Sequence, residues 1–321
     1  MNRKSYTSKF ADYIEKYIQF KCAIGYSENS YHTRMRQFDR FCAENFPESE
    51  TISEEIAAEW SCRQNSESEN NRIQRVSALK GFVDYLNASG IKAYSIPKGW
   101  TARQKPFMPY LYSDNELMQF FQGADSIPPC PLSGPRELIA PVIFRMHFCC
   151  GLRPQETTAL HRKDVNMADG ILYIADSKRH KDRVVPMSSD LCILCSKYDD
   201  TISRIFPDRK YFFQRTAEDI PVTTEWQGDL FRSCAKQAGM SFKHSRWPRV
   251  YDFRHNFATH VIRKWIAEGK NVSTMLPYLS TYMGHSSLNA TAYYVHLVPE
   301  HLTETGLMSW GGMPEVPGYE E

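Results

Sequence analysis

Four clusters in this 321-residue sequence set basic groups beside hydroxyl groups. In GLRPQETTAL (151–160), Arg153 follows a glycine and precedes Pro154, a residue suited to a first helical turn, where anions bind well. In SKRHKDRVVP (177–186), Lys178 lies near a strand-to-turn junction. In YDFRHNFATH (251–260), Arg254 comes one turn after Tyr251. In YMGHSSLNATAYYVHL (282–297), His285 is followed nine positions later by Tyr294, next to Tyr293. Each cluster has a plain structural reading: a surface arginine, a solvated basic turn, an amphipathic helix, a packed aromatic helix. Together they supply one reaction. Two arginines can grip the non-bridging oxygens of a phosphodiester and neutralise the charge of a pentacoordinate transition state. A tyrosine can attack phosphorus and form a covalent intermediate. A lysine or histidine can protonate the departing ribose oxygen. This chemistry calls for no cofactor and no metal, and no P-loop pattern occurs in the chain.

The elements that must position these groups can be read from periodicity. Four amphipathic segments fill the first ninety residues: Phe10, Tyr13, Ile14, Tyr17 and Ile18; then Tyr31, Met35, Phe38 and Phe41; then Ile56 and Trp60 after Ser53; then Ile73, Val76, Leu79, Phe82, Val83 and Leu86. Gly90 suits the end of the fourth. The opposite faces carry Arg34, Arg36, Arg40, Arg72, Arg75 and Lys80, either as a solvated face or as a track for a phosphate backbone. Residues 91–112 hold three prolines and four basic residues, Arg103 and Lys105 among them, and read as an extended linker. Ser113 and Glu116 fit a capping box that opens a second domain. There, GILYIA and RVVPMS read as a hairpin among helices. The expected fold is mainly α: an N-terminal four-helix domain (1–90), the linker (91–112), a mixed, mostly helical domain with a small antiparallel β-sheet (113–298), and an acidic tail (299–321).

Composition narrows the class. A 42% hydrophobic, 24% charged chain fits a soluble globular protein. The N-terminus has no apolar signal-peptide core and no apolar run is long enough for a bilayer, so a cytoplasmic location is expected. Nine scattered cysteines read as buried free thiols, and the Cys192–Cys195 pair as core packing rather than a zinc site. The net charge of +2 includes a tail with five glutamates and no Lys or Arg, so the rest of the chain is more basic. That balance permits nucleic-acid binding without demanding it.

The four clusters, in this order, resemble the tyrosine recombinase (phage integrase) family. The resemblance is strong over 106–298 and weaker over 1–105, whose size and position match the family's core-binding domain. It implies Arg153 and Arg254 as the two catalytic arginines, Lys178 rather than Lys181 as the hairpin lysine, His285 as the second histidine position and Tyr294 rather than Tyr293 as nucleophile. Tyr251 stands where the family usually has histidine, and His255, which follows Arg254 as in many relatives, is expected to make a structural hydrogen bond on its helix. The implied enzyme is a Xer-like, two-domain, site-specific DNA recombinase. It cuts and rejoins double-stranded DNA through a 3′-phosphotyrosine intermediate and a Holliday junction, as a homotetramer, with or without a second recombinase. Integration and excision of a mobile element is the expected task, without an added arm-type domain. The tail would dock on a neighbouring protomer or fold back on its own domain. Two other classes stay open: a non-catalytic DNA-binding member acting as regulator or recombination partner, and a type IB topoisomerase-like relaxing enzyme.

Overall fold

The computed structural model describes residues 6–65, 67–100, 108–177, 181–242 and 247–298. Lys178, Arg103, Lys105 and the tail lie outside the described residues. The chain divides into two compact units, Met1–Phe107 and Met108–Glu321.

Helices α1 (Ala11–Ala23), α2 (Glu28–Asn45), α3 (Glu54–Ser61) and α4 (Glu69–Ala88) build the first unit. Ser53 and Ser68 cap α3 and α4, their hydroxyls accepting from the backbone N–H of Ile56 and Asn71. The apolar stripes converge on one core around Phe10, Tyr17, Phe38, Trp60, Leu79 and Phe82. Buried Asp39 accepts from the backbone N–H groups of Thr7 and Ser8 and pins the entry to α1. Beyond α4, Gly90 turns at φ 80° and Ile96 is buried in the same core, so this part of the expected linker packs with the first unit.

The second unit begins before Ser113, because Tyr112 is already buried in its core. The capping box forms: Ser113 Oγ accepts from Glu116 N, and Glu116 accepts from Ser113 N. Helices α5 (Asp114–Asp125), α6 (Arg136–Cys150), α7 (Pro154–Ala159), α8 (Ser189–Ile205), α9 (Thr224–Gln237), α10 (Asp252–Ala267), α11 (Val272–Met283) and α12 (Asn289–Ala292) surround a sheet of order β1-β2-β3. Its strands, β1 (Val165–Asn166), β2 (Ile171–Ser177) and β3 (Lys181–Pro186), are antiparallel. Leu172 pairs with Val185 on the buried face, and Tyr173 with Val184 on the exposed one. Both long strands run further into the basic segment than the alternation of apolar residues suggested.

Helix α10 separates two cores. Phe253 packs with Phe120, Phe144 and Phe231, while Ala258 and Ile262 pack with Leu279, Met283 and Tyr294. One helix therefore ties the large core to the segment carrying the candidate nucleophile. All nine cysteines are free, but Cys22, Cys62 and Cys149 are exposed, which corrects the expectation that the thiols are uniformly buried. No helix of the described residues is long and apolar enough to cross a membrane.

Candidate active site

Arg153 stands at the N-cap of α7. Its backbone N–H donates to Glu156 Oε2 at 2.8 Å and its Nη1 to Glu156 Oε1 at 2.7 Å. Nη2 reaches across the unit to the carbonyl of Gly284, 2.7 Å away. Glu156 also accepts both Nη groups of Arg183 from β3, at 2.7 and 2.8 Å. Burial opposes ionisation of this carboxyl, but the Arg183 guanidinium outweighs it and holds the pKa at about 2. Arg183 Nε donates to the carbonyl of Tyr282 at 2.9 Å. The start of α7, the hairpin and the end of α11 are thus joined through one buried carboxylate.

Arg254 is 0% exposed. Its Nη1 donates to the carbonyl of Gly151 and its Nη2 to that of Met283. Both carbonyls lie where a glycine turns the chain: Gly151 ends α6 at φ 60° and Gly284 ends α11 at φ 64°. A helix C-terminus leaves carbonyls unpaired, and the guanidinium satisfies them. Burial, then the charge of Arg153, lowers the Arg254 pKa to about 10. A guanidinium has five N–H donors, and two are spent on these carbonyls. Arg254 Nε has no hydrogen-bond partner among the described residues. Three guanidinium groups, those of Arg153, Arg183 and Arg254, surround Glu156, so the cluster carries excess positive charge suited to an anion.

Tyr294 lies in the 3₁₀ turn Tyr293–Leu297 that follows α12 and is 3% exposed. Burial raises its pKa well above the usual phenol range, and Arg254 partly opposes that rise. The His285 ring lies nearly parallel to it, with an interplanar angle of 15° and a centroid separation of 6.1 Å. His285 Nδ1 is 2.7 Å from the hydroxyl of buried Thr291. Burial, reinforced by Arg254 and Arg153, lowers its pKa to about 3, so its imidazole is neutral at ordinary pH. Tyr294 Oη is 3.0 Å from Nδ1 of His255. Tyr251 sits against that same histidine, ring centroids 5.1 Å apart.

Arg153, Tyr251, Arg254, His285 and Tyr294 come together, although 141 positions separate the first from the last. Tyr293 packs edge-on against Tyr294 and is less buried. Glu156, Arg183 and Thr291 were not anticipated. Glu156 had a signal, since Arg-x-x-Glu at a helix start has capping-box spacing. Arg183 had none, because its partners are 27 and 99 positions away.

In the first unit, Arg36 and Arg40 are exposed. Arg34, Gln37, Asn71 and Gln74 line a polar cleft of about 410 Å³. Lys80 is half-buried, its Nζ 3.3 Å from the carbonyl of Ile96. Arg72 donates to the carbonyls of Ser61 and Trp100. Arg75 is 7% exposed and gives its guanidinium to Glu67 and the carbonyls of Trp60 and Cys62. It does not face solvent, which corrects its place on a phosphate-tracking face: position 75 lies one turn before Leu79, on the apolar stripe.

The sequence profile of the phage integrase family matches residues 115–301. This chain belongs to that family, the tyrosine recombinases. It is 27% identical over 251 residues to tyrosine recombinase XerC of Chlorobaculum parvum, covering 72% of this chain and 70% of the relative. It is 24% identical over 296 residues to a tyrosine recombinase of Pseudothermotoga lettingae, covering 91% and 93%. Its fold is similar to that of the XerH site-specific recombinase bound to a palindromic difH substrate, with a TM-score of 0.71 at 17% identity over 97% of this chain and 99% of that one. It is also similar to the Tn1549 transposon integrase in complex with transposon right end DNA, with a TM-score of 0.66 at 14% identity over 88% and 94%.

Proposed function

We propose that this protein is a site-specific DNA recombinase whose nucleophile is Tyr294. The observation that carries the reading is a buried phenol beside a buried arginine with unspent N–H donors, Arg254. Tyr294 attacks phosphorus and displaces the 5′-oxygen, leaving a 3′-phosphotyrosine. Arg153 and Arg254 bind the non-bridging oxygens and offset the charge that grows in the pentacoordinate state. Lys178 protonates the leaving oxygen, and neutral His285 stacks on the nucleophile and donates a hydrogen bond to the phosphate. Attack by the freed 5′-hydroxyl of a partner duplex reverses the step, so bond energy is conserved and strands exchange through a Holliday junction. Four protomers act on two double-stranded sites, in integration and excision of a mobile element. In the first unit, Arg34, Arg36, Arg40 and Lys80 contact phosphates, with Arg103 and Lys105 on the connection to the second.

The non-catalytic reading rests on Tyr251 in place of a histidine. Covalent trapping separates the two. A pool of nicked duplexes with a randomised core, mixed with the protein, lets the cleaved end diffuse away and strands the phosphotyrosine. The expected result is a denaturation-resistant adduct with wild type and none with Tyr294→Phe, which still shifts DNA in a native gel. Shifts without any adduct would establish a binding protein instead. Relaxation of a plasmid carrying a single site, without strand exchange, would favour the topoisomerase-like reading.

A further inference from the structure

The departure at Tyr251 leaves a chemical vacancy. Attack by Tyr294 requires loss of its phenolic proton, and the side chain at position 251 is a phenol rather than an imidazole base. His285 does not fill the gap: its ring lies parallel to that of Tyr294, and its Nδ1 pairs with Thr291. Among the described residues, the group within hydrogen-bond reach of Tyr294 Oη is His255 Nδ1, at 3.0 Å, where the phenol O–H can donate to it. We propose that His255 is a catalytic residue, the general base that takes the proton of Tyr294. This inference rests on the recombinase reading above.

The proton balance closes. The Tyr294 O–H bond breaks and its proton passes to His255 Nδ1. The Tyr294 O–P bond forms, the P–O5′ bond breaks, and the leaving oxygen takes its proton from Lys178. On rejoining, the attacking 5′-hydroxyl returns its proton to the Lys178 amine as the O5′–P bond forms, and the imidazolium of His255 returns its proton to Tyr294 as the tyrosyl O–P bond breaks.

The surroundings keep the base unprotonated and strengthen it when it is needed. Burial, then the charges of Arg249 and Arg254, lowers the pKa of His255 to about 4, so its imidazole is neutral, and in the tautomer protonated on Nε2 its Nδ1 accepts from the Tyr294 phenol. A phosphodiester bound at Arg254 offsets one of those charges, which makes the imidazole more basic once substrate is in place. Helix α10 carries both Arg254 and His255. Adjacent residues on one helix therefore hold the electrophile and deprotonate the nucleophile.

The test uses the full chain and the randomised nicked-duplex pool. His255→Gln keeps a hydrogen-bond acceptor for the phenol but not a base. It is expected to shift DNA as wild type does and to form adduct about 100-fold more slowly, the scale of a lost general base. His255→Ala is expected to be slow as well and to speed up when imidazole is added, whereas wild type is not. Wild-type adduct rates in His255→Gln would overturn this inference alone. Slow His255→Ala cleavage that ignores imidazole would also overturn it, leaving His255 a positioning residue. Absence of adduct with the wild-type chain would overturn the recombinase reading and this inference with it.

Discussion

Arg183 and Glu156, 27 positions apart, form a two-pronged buried ion pair, Nη1 to Oε1 at 2.7 Å and Nη2 to Oε2 at 2.8 Å. The same carboxylate orients Arg153, so the pair sets the position of a proposed catalytic arginine without itself needing to touch DNA. Removing the carboxylate leaves guanidinium groups buried without a counter-charge. Glu156→Gln should therefore destabilise the protein by about 3–5 kcal/mol, measured by urea unfolding at neutral pH.

The pH dependence of stability should carry the mark of that pair. Glu156 has a folded-state pKa of about 2 against an ordinary 4.5. A depressed carboxyl pKa means that the unfolded chain binds the proton first as pH falls. Its stabilisation is thus complete above about 4.5 and is lost progressively toward 2. His255 and His285 are also depressed, to about 4 and about 3, so their share is lost over a higher window that begins near the ordinary value of 6.5. Urea midpoints from pH 7 to 2.5 should fall in both windows, and the lower step should be smaller in Glu156→Gln.

Gly151→Ala should damage the site through the backbone. Gly151 sits at φ 60°, and an added Cβ would lie 2.5 Å from Cδ1 of Phe257. Left-handed strain of about 1–2 kcal/mol adds to the clash. Because the Gly151 carbonyl anchors Arg254, the rate of adduct formation should fall by more than the loss in thermal stability accounts for. Equal adduct rates in folded Gly151→Ala and wild type would remove that anchor from the mechanism.

Arginines of the first unit should separate by burial. Arg36→Ala and Arg40→Ala should leave the melting temperature unchanged and weaken DNA binding, each flattening the slope of log K against log salt by about 0.9. Arg75→Ala should instead cost about 3–5 kcal/mol of stability, because Glu67 would lose its buried partner. An Arg75 variant that melts normally but binds DNA weakly would reverse this division.

Tyr251→His should couple to His255. A second imidazole placed against the His255 ring gives Tyr294 an alternative proton acceptor. The loss of adduct rate caused by His255→Gln should be smaller in the Tyr251→His background than in wild type, an interaction read from the double-mutant cycle. Strictly additive effects would mean that the two positions act independently.

Much of this architecture could be read along the chain because its causes are local. Helical stripes, the Ser113–Glu116 capping box, the turn at Gly90 after α4 and the nine-residue step from His285 to Tyr294 all depend on neighbours within a few turns. Such features follow from helical geometry and from the conformational freedom of glycine, and they are written in spacing.

What the tertiary structure alone decided is which distant polar groups share a low-dielectric space. Nothing in the spacing links Glu156 to Arg183, Arg254 to the carbonyl of Met283, or His255 to Tyr294, 39 positions further on. The last two arise because α10, which carries Arg254 and His255, packs between two cores. Once buried, an unpaired charge or donor is costly, so each group takes whatever partner the packing delivers. The sequence determined which chemical groups this protein has; the packing determined that His255, rather than Tyr251, meets the nucleophile.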